Sequence, residues 1–213
     1  MDTPIFNLSE EELHDVYEPA EDSFLLIDTL ENDLELLKSQ KCAMCLEVGI
    51  GSGVVITALA MELRKYFTSF YLGIDINAKA CQASKKTSII NSVRVEAVQM
   101  DLLDGIVDRG IFDVIIFNPP YVATEPLEVL DRRLIFKTWA GGHRGREVMD
   151  RLFPKIPHIL SDNGFFYLLV IKDNKPHEII ELFKGFNMTG SIVAERKIRG
   201  EHLHVLRFQK SQY

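Results

Sequence analysis

The chain has 213 residues, 46% hydrophobic and 26% charged, which suits one globular domain with a sizeable core and excludes extended disorder. Its formal net charge of -7 argues against tight non-specific nucleic-acid binding, which needs a basic footprint. The longest apolar stretches, near Val54–Met61 and Phe165–Ile171, are too short to span a bilayer.

From the amino terminus, Met1-Asp2-Thr3-Pro4 lacks the basic region of a secretory signal. Glu21-Asp22-Ser23 precedes Phe24, Leu25, Leu26, Ile27, Leu30, Leu34 and Leu37, an amphipathic helix pattern. Strand and helix patterns then alternate. Met44–Val48 reads as a strand, Val54–Tyr66 as a helix, Phe70–Asp75 as a strand, Ala78–Ile90 as a helix, and Val93–Met100 and Phe112–Phe117 as strands. Ala123–Gly145 is a polar, glycine-containing stretch. Arg146–Leu160 predicts a helix interrupted by Pro154 and Pro157. Phe165–Ile171 is a further strand, Pro176–Lys184 a helix, and Met188–Lys197 and His202–Gln209 two closing strands about a turn at Arg199-Gly200. This order predicts an α/β fold, a seven-stranded mostly parallel sheet with helices on both faces and one antiparallel strand from the terminal hairpin. Cys42, Cys45 and Cys81 form no even framework, so the chain is expected to be intracellular and reduced; Cys42-Ala43-Met44-Cys45 reads as structural because Cys45 falls inside a strand.

Four strand ends carry chemistry. The apolar run Phe112–Phe117 ends abruptly in Asn118-Pro119-Pro120-Tyr121, where two prolines remove backbone donors and stiffen a rim at the carboxyl end of a parallel strand. The Asn118 side-chain oxygen and the Pro119 carbonyl can accept two hydrogens from one planar NH2 group, and Tyr121 offers a flat face. Asn-Pro and Pro-Pro are also ordinary turn signals. Leu46-Glu47-Val48-Gly49-Ile50-Gly51-Ser52-Gly53 allows close backbone approach to a ligand, but Val54 stands where GxGxxG would need glycine, and no Walker lysine follows. Asp75 can accept hydrogen bonds from both hydroxyls of a ribose, and Asp101 is placed to accept from an adenine amine. Either aspartate could equally cap a helix.

In this order, Glu47-Val48-Gly49, Gly51, Gly53, Asp75, Asp101-Leu102 and Asn118-Pro119-Pro120-Tyr121 resemble the Rossmann-like S-adenosylmethionine-dependent methyltransferases that modify planar amines. Tyr17-Glu18-Pro19-Ala20-Glu21-Asp22-Ser23, Trp139-Ala140-Gly141-Gly142 and Gly145–Arg151 narrow the resemblance to HemK-type eukaryotic and archaeal glutamine methyltransferases of class I translation termination factors. It covers nearly the whole chain and implies a single methyltransferase domain over residues 1–213, with residues 1–40 as a helical extension closing the cofactor site.

The resemblance implies methyl transfer from S-adenosylmethionine to the amide nitrogen of the glutamine in a Gly-Gly-Gln loop, by in-line displacement and with no metal in this chain. Asn118, Pro119 and Tyr121 would be catalytic, and Pro120 and Trp139 would join them in binding substrate. Tyr17, Pro19, Ser23, Glu47, Gly49, Gly51, Gly53, Asp75, Ile76, Asp101, Leu102 and Asn118 would bind the cofactor. His202 and His204 read as surface or packing residues. Val93–Gln99 would be an apolar edge strand pairing with a small zinc-binding activator subunit, a GTP-binding companion could accompany the termination factor, and the chain would reside in the cytoplasm and also the nucleus. An adenine amine fits the Asn-Pro-Pro-Tyr rim equally well, but the acidic charge and the lack of a base-flipping element disfavour nucleic acid. A lysine amine, tetrahedral and usually protonated, suits two flat acceptors less well.

Overall fold

The structure is a computed structural model that describes residues 1–122 and 145–211. Helix α1 (Glu10–Leu13) starts at a capping box, in which the Ser9 hydroxyl accepts from the Glu12 N–H and the Glu12 carboxylate accepts from the Ser9 N–H. The helical pattern predicted across Phe24–Leu37 divides into α2 (Glu21–Asn32) and α3 (Leu34–Ser39). Asp33 breaks it because its side chain is drawn to the sheet, where it accepts from the Tyr167 hydroxyl at 2.8 Å and pairs with Arg207 at 2.7 Å.

Strands β1 (Met44–Val48), β2 (Phe70–Asp75) and β4 (Phe112–Phe117) and helix α5 (Ala78–Ile90) coincide with their predicted ranges. Helix α4 (Val54–Leu63) ends three residues before Tyr66, where the Lys65 and Tyr66 N–H groups turn to the Glu62 and Leu63 carbonyls. Strand β3 (Glu96–Gln99) is half the predicted length. The Val93 N–H donates to the Ser88 carbonyl and finishes α5, so pairing with β2 begins only at Glu96.

After residue 144, α6 (Glu147–Leu152) passes through a 3-10 turn at Phe153–Lys155 into α7 (Ile156–Ile159), the break falling at the prolines as expected. Strand β5 (Leu160–Ile171) starts earlier than predicted, since Leu160 already pairs with Phe112 and a register shift absorbs the polar residues that follow. Helix α8 (Pro176–Lys184) precedes the hairpin of β6 (Met188–Ile198) and β7 (Glu201–Lys210).

Among the described residues these strands form one seven-stranded sheet in the order β3-β2-β1-β4-β5-β7-β6. Only β7 runs against its neighbours, as the terminal hairpin predicted. Both faces are covered. Val114 and Ile116 pack beneath α2 and α4, while Ile115 and Phe117 pack with α6 and α8, which is why β4 reads as an unbroken apolar run. Cys42 and Cys45 are buried free thiols whose pKa values burial pushes up, to about 12 for Cys42, in keeping with a structural role.

One close approach shapes the loop after β1. Gly73 in β2 lies under Ile50, and a Cβ there would sit 1.8 Å from Ile50 Cδ1. Gly73→Ala is therefore expected to destabilise the fold by about 1–3 kcal/mol through overpacking, read from denaturant melts. An unchanged midpoint would show that Ile50 moves aside freely.

Candidate active site

The carboxyl ends of β1, β2, β3 and β4 open onto one cavity of about 510 Å3. Switch-point crevices of this kind are where open α/β sheets bind ligands. Of the residues expected to bind cofactor or substrate, Tyr17, Ser23, Glu47, Gly49, Gly51, Asp75, Ile76, Asp101, Leu102, Asn118, Pro119, Pro120 and Tyr121 line it. Pro19 is buried but off the wall. Gly53 is also off the wall. Its φ of +76 opens α4, and a Cβ there would lie 2.6 Å from Ser84 Cβ, so it serves the packing of α4 on α5. Trp139 lies outside the described residues.

The acids divide by surroundings. Asp75 accepts from the Gly51 N–H at 3.1 Å and the Asn77 N–H at 2.8 Å; burial raises its pKa, and those donors oppose the rise. Each oxygen keeps acceptor capacity for a sugar hydroxyl. Asn77 also donates to the Asp15 carbonyl at 2.7 Å, which fastens the segment before Tyr17 to the end of β2. Glu47 is buried and accepts the Ile56 N–H at 3.0 Å; burial pushes its carboxyl up to about 8. Asp101 pairs with Arg151 at 2.9 Å, so a cation that the sequence did not suggest joins the wall. Leu102 beside it adopts φ +46, a left-handed conformation uncommon for leucine and typical of strained site backbone.

The Asn-Pro-Pro-Tyr rim is held from two sides. Asn118 Nδ2 donates to Asp22 Oδ2 at 3.0 Å, and the Tyr121 hydroxyl approaches the same oxygen at 3.4 Å. Asn174 Nδ2 donates to the Tyr121 carbonyl at 2.8 Å, while its Oδ1 accepts the Ile171 N–H, so the rim is tied to the end of β5. Burial, then the Asp22 charge, raises the pKa of both Tyr17 and Tyr121, keeping both as neutral donors. Asn118 Oδ1 is buried and has no hydrogen-bond partner among the described residues. Most buried oxygens are paired, and one left without a partner on a residue that lines a cavity is an acceptor free for an incoming N–H. The cavity thus joins an acid able to take sugar hydroxyls, a glycine loop and an oriented amide acceptor, a set that fits a nucleoside-bearing methyl donor.

Residues 20–138 match the methyltransferase small domain. The chain is 44% identical to methyltransferase HEMK2 of Mus musculus over 98% of this chain and 97% of that protein. The chain belongs to the HEMK2 and Mtq2 family of methyltransferases. It is 35% identical to the eRF1 methyltransferase catalytic subunit mtq2 of Schizosaccharomyces pombe, over 99% of this chain and 96% of that protein. Among solved structures, the E. cuniculi Mtq2-Trm112 complex, responsible for methylation of the eRF1 translation termination factor, superposes with a TM-score of 0.69 at 31% identity, covering 92% of this chain and 99% of that one. The fold is the Rossmann-like methyltransferase fold expected from the strand order.

Within this family member, Asp22, Arg151 and Glu201 are cavity residues absent from the sequence-based set. Asp22 left a signal, since it lies inside the motif Tyr17–Ser23 that the sequence singled out. Its carboxylate holds the Nδ2 end of the Asn118 amide and leaves Oδ1 without a partner. Asp22→Ala is expected to lower methyl-transfer turnover by about 10²-fold through lost orientation, with little change in the affinity for the methyl donor. Single-turnover assays with donor-binding titrations check it; a loss confined to donor affinity would remove the orienting role.

Proposed function

We propose that this chain is the catalytic subunit of a heterodimer that transfers a methyl group from S-adenosylmethionine to the side-chain amide nitrogen of the glutamine in the Gly-Gly-Gln loop of a eukaryotic-type class I release factor. One observation carries the reading. Asn118 lines the cavity and its Oδ1 is buried without a hydrogen-bond partner among the described residues, while Nδ2 of the same amide is pinned by Asp22. The names borne by the fission-yeast relative and the E. cuniculi complex support the same substrate.

S-adenosylmethionine, when bound, supplies an electrophilic methyl group on a positively charged sulfur. The protein supplies position. Asn118 Oδ1 and the Pro119 carbonyl accept the two N–H groups of the substrate amide and set its nitrogen for attack, an orientation effect of up to roughly 7–11 kcal/mol. Both acceptors favour the positive charge that grows on that nitrogen, and the neutral N-methyl amide forms when one of its N–H protons, made acidic by that charge, passes to solvent. Tyr121 covers the amide plane. Asp75 takes the ribose hydroxyls, Ile76, Asp101 and Leu102 frame the adenine, and Glu47, Gly49 and Gly51 form the floor. Tyr17 and Ser23 close the site from the amino-terminal side, and the whole chain acts as one catalytic domain.

The partner assignment rests on the edge of the sheet. Among the described residues strand β3 pairs only with β2 and leaves Val98 42% exposed, an unpaired edge of the kind that associates with another strand. A small zinc-binding activator adding its strand along Val93–Gln99 covers that edge. The release factor is met alone or with its GTP-binding companion, in the cytoplasm and also the nucleus.

The test incubates the chain, with and without the activator, with labelled S-adenosylmethionine and one of three acceptors: the release factor, the factor with its loop glutamine replaced by alanine, or duplex DNA. Label is expected only on the intact factor, and strongly only with the activator present. Label on DNA, or on the alanine factor at a lysine, would overturn the glutamine assignment. Full activity without the activator would overturn the heterodimer.

A further inference from the structure

Away from the cofactor cavity, the terminal hairpin gathers three metal-ligating side chains. His202 and His204 are two residues apart on β7 and so share a face, with ring centroids 4.2 Å apart. The pairing of β6 with β7 shifts register between Ile192 and Ala194. Ile192 opposes Leu206, and unbroken pairing would place Ala194 opposite His204. The extra residue at the shift brings Glu195 there instead. A bulge that re-aims one side chain in this way is a placed feature of a strand, since a one-residue slip exchanges the two faces of the sheet.

The resulting geometry is close to a coordination shell. Glu195 Oε2 is 2.9 Å from His202 Nε2 and 3.8 Å from His204 Nε2, and one donor atom from each of the three residues lies within 4.8 Å of the others. Ligands about 2.0–2.2 Å from a tetrahedral zinc ion stand roughly 3.4 Å apart, a value between those two distances. His204 is buried, its Nδ1 has no hydrogen-bond partner among the described residues, and its Nε2 stops beyond hydrogen-bond reach of the carboxylate. Glu195 is exposed and His202 half-buried, so an ion has a path in and an open position for water.

We propose that Glu195, His202 and His204 bind one divalent transition-metal ion of the zinc class. Two imidazoles and one carboxylate are donors that suit zinc, and three protein ligands leave a fourth position for solvent. This replaces the surface-or-packing role that the sequence suggested for the two histidines. The site would brace the hairpin next to the reaction cavity. Glu201, the neighbour of His202, lines that cavity and also the smaller cleft that contains His202.

The test uses the full chain with its partner subunit, stripped with chelator and titrated with Zn2+ by calorimetry and with Co2+ by visible absorption. His202→Ala and Glu195→Gln are the comparison variants, since neither side chain is buried in the core; metal-free melts matching wild type establish that both fold. Wild type is expected to take up one equivalent more than His202→Ala and to show a Co2+ band that this variant lacks. Glu195→Gln should weaken uptake by on the order of tenfold or more. Equal stoichiometry and affinity in wild type and both variants would place any bound metal elsewhere and overturn the site, as would no uptake by wild type beyond that of His202→Ala.

Discussion

Asn118→Ala is expected to reduce methyl-transfer turnover on the order of 10²–10³-fold while donor affinity stays within a few-fold, because it removes the unpartnered oxygen proposed to accept from the substrate amide. The fold should tolerate the change. An unpaired buried acceptor costs about 1–3 kcal/mol in the free protein, and alanine removes it, so the melting temperature is expected to hold or rise despite the loss of the bond to Asp22. Such an exchange of activity for stability marks a site strained for function. Asn118→Asp separates the causes. It keeps the acceptor but sets two carboxylates where Asn118 Nδ2 and Asp22 Oδ2 now stand 3.0 Å apart, so it should be the less stable variant. Turnover from stopped single-cycle assays, donor affinity from calorimetry and melts of both variants decide the matter. Equal loss of turnover and donor affinity in Asn118→Ala would reassign the residue to cofactor binding.

Much of this arrangement was legible because the sheet is regular. Phe112–Phe117 is apolar on both faces, and Pro119-Pro120 leave it no continuation, so the sequence alone places Asn118 at a strand end. The glycine loop, Asp75 and Asp101 follow by the same alternation. What escaped depends on distant partners. Asp33 breaks the amino-terminal helix because Tyr167 and Arg207 claim its carboxylate, and no local pattern carries that information. Arg151 and Glu201 reach the cavity only through the strand order, which brings α6 beside Asp101 and turns β7 so that its first residue lies on the reactive rim. Gly53 has a packing role that the spacing did not show. It completes a glycine pattern by spacing, yet its missing side chain makes room for Ser84. The bulge that aims Glu195 is a single extra residue in a strand of ordinary composition, and nothing in the spacing announces it.

Glu47 should make the stability of the free protein fall as pH rises from about 4.5 to about 8. Burial is the main cause of its raised pKa; the Asp75 charge adds to the rise and the Ile56 N–H opposes it. Above pH 4.5 the unfolded chain has released this proton while the folded chain retains it until about pH 8, so across that window the unfolded state binds fewer protons and stability declines. The stabilisation is complete below the lower value and lost above the upper one. At 1.36 kcal/mol per unit, the decline is on the order of 3–5 kcal/mol. Glu47→Gln can still accept from the Ile56 N–H but cannot titrate. Denaturant melts at pH 5 and pH 9 should therefore show the wild type losing more stability than the variant, with the variant the more stable at pH 9. Parallel pH profiles would mean that Glu47 ionises in the folded state at an ordinary value. The same group couples stability to donor binding. A positively charged donor beside Glu47 favours the ionised carboxylate, so binding near pH 7 should release protons in wild type and fewer in Glu47→Gln, seen as a buffer-dependent calorimetric heat. The buried charge that weakens the free protein at alkaline pH is then the charge that strengthens its hold on the donor.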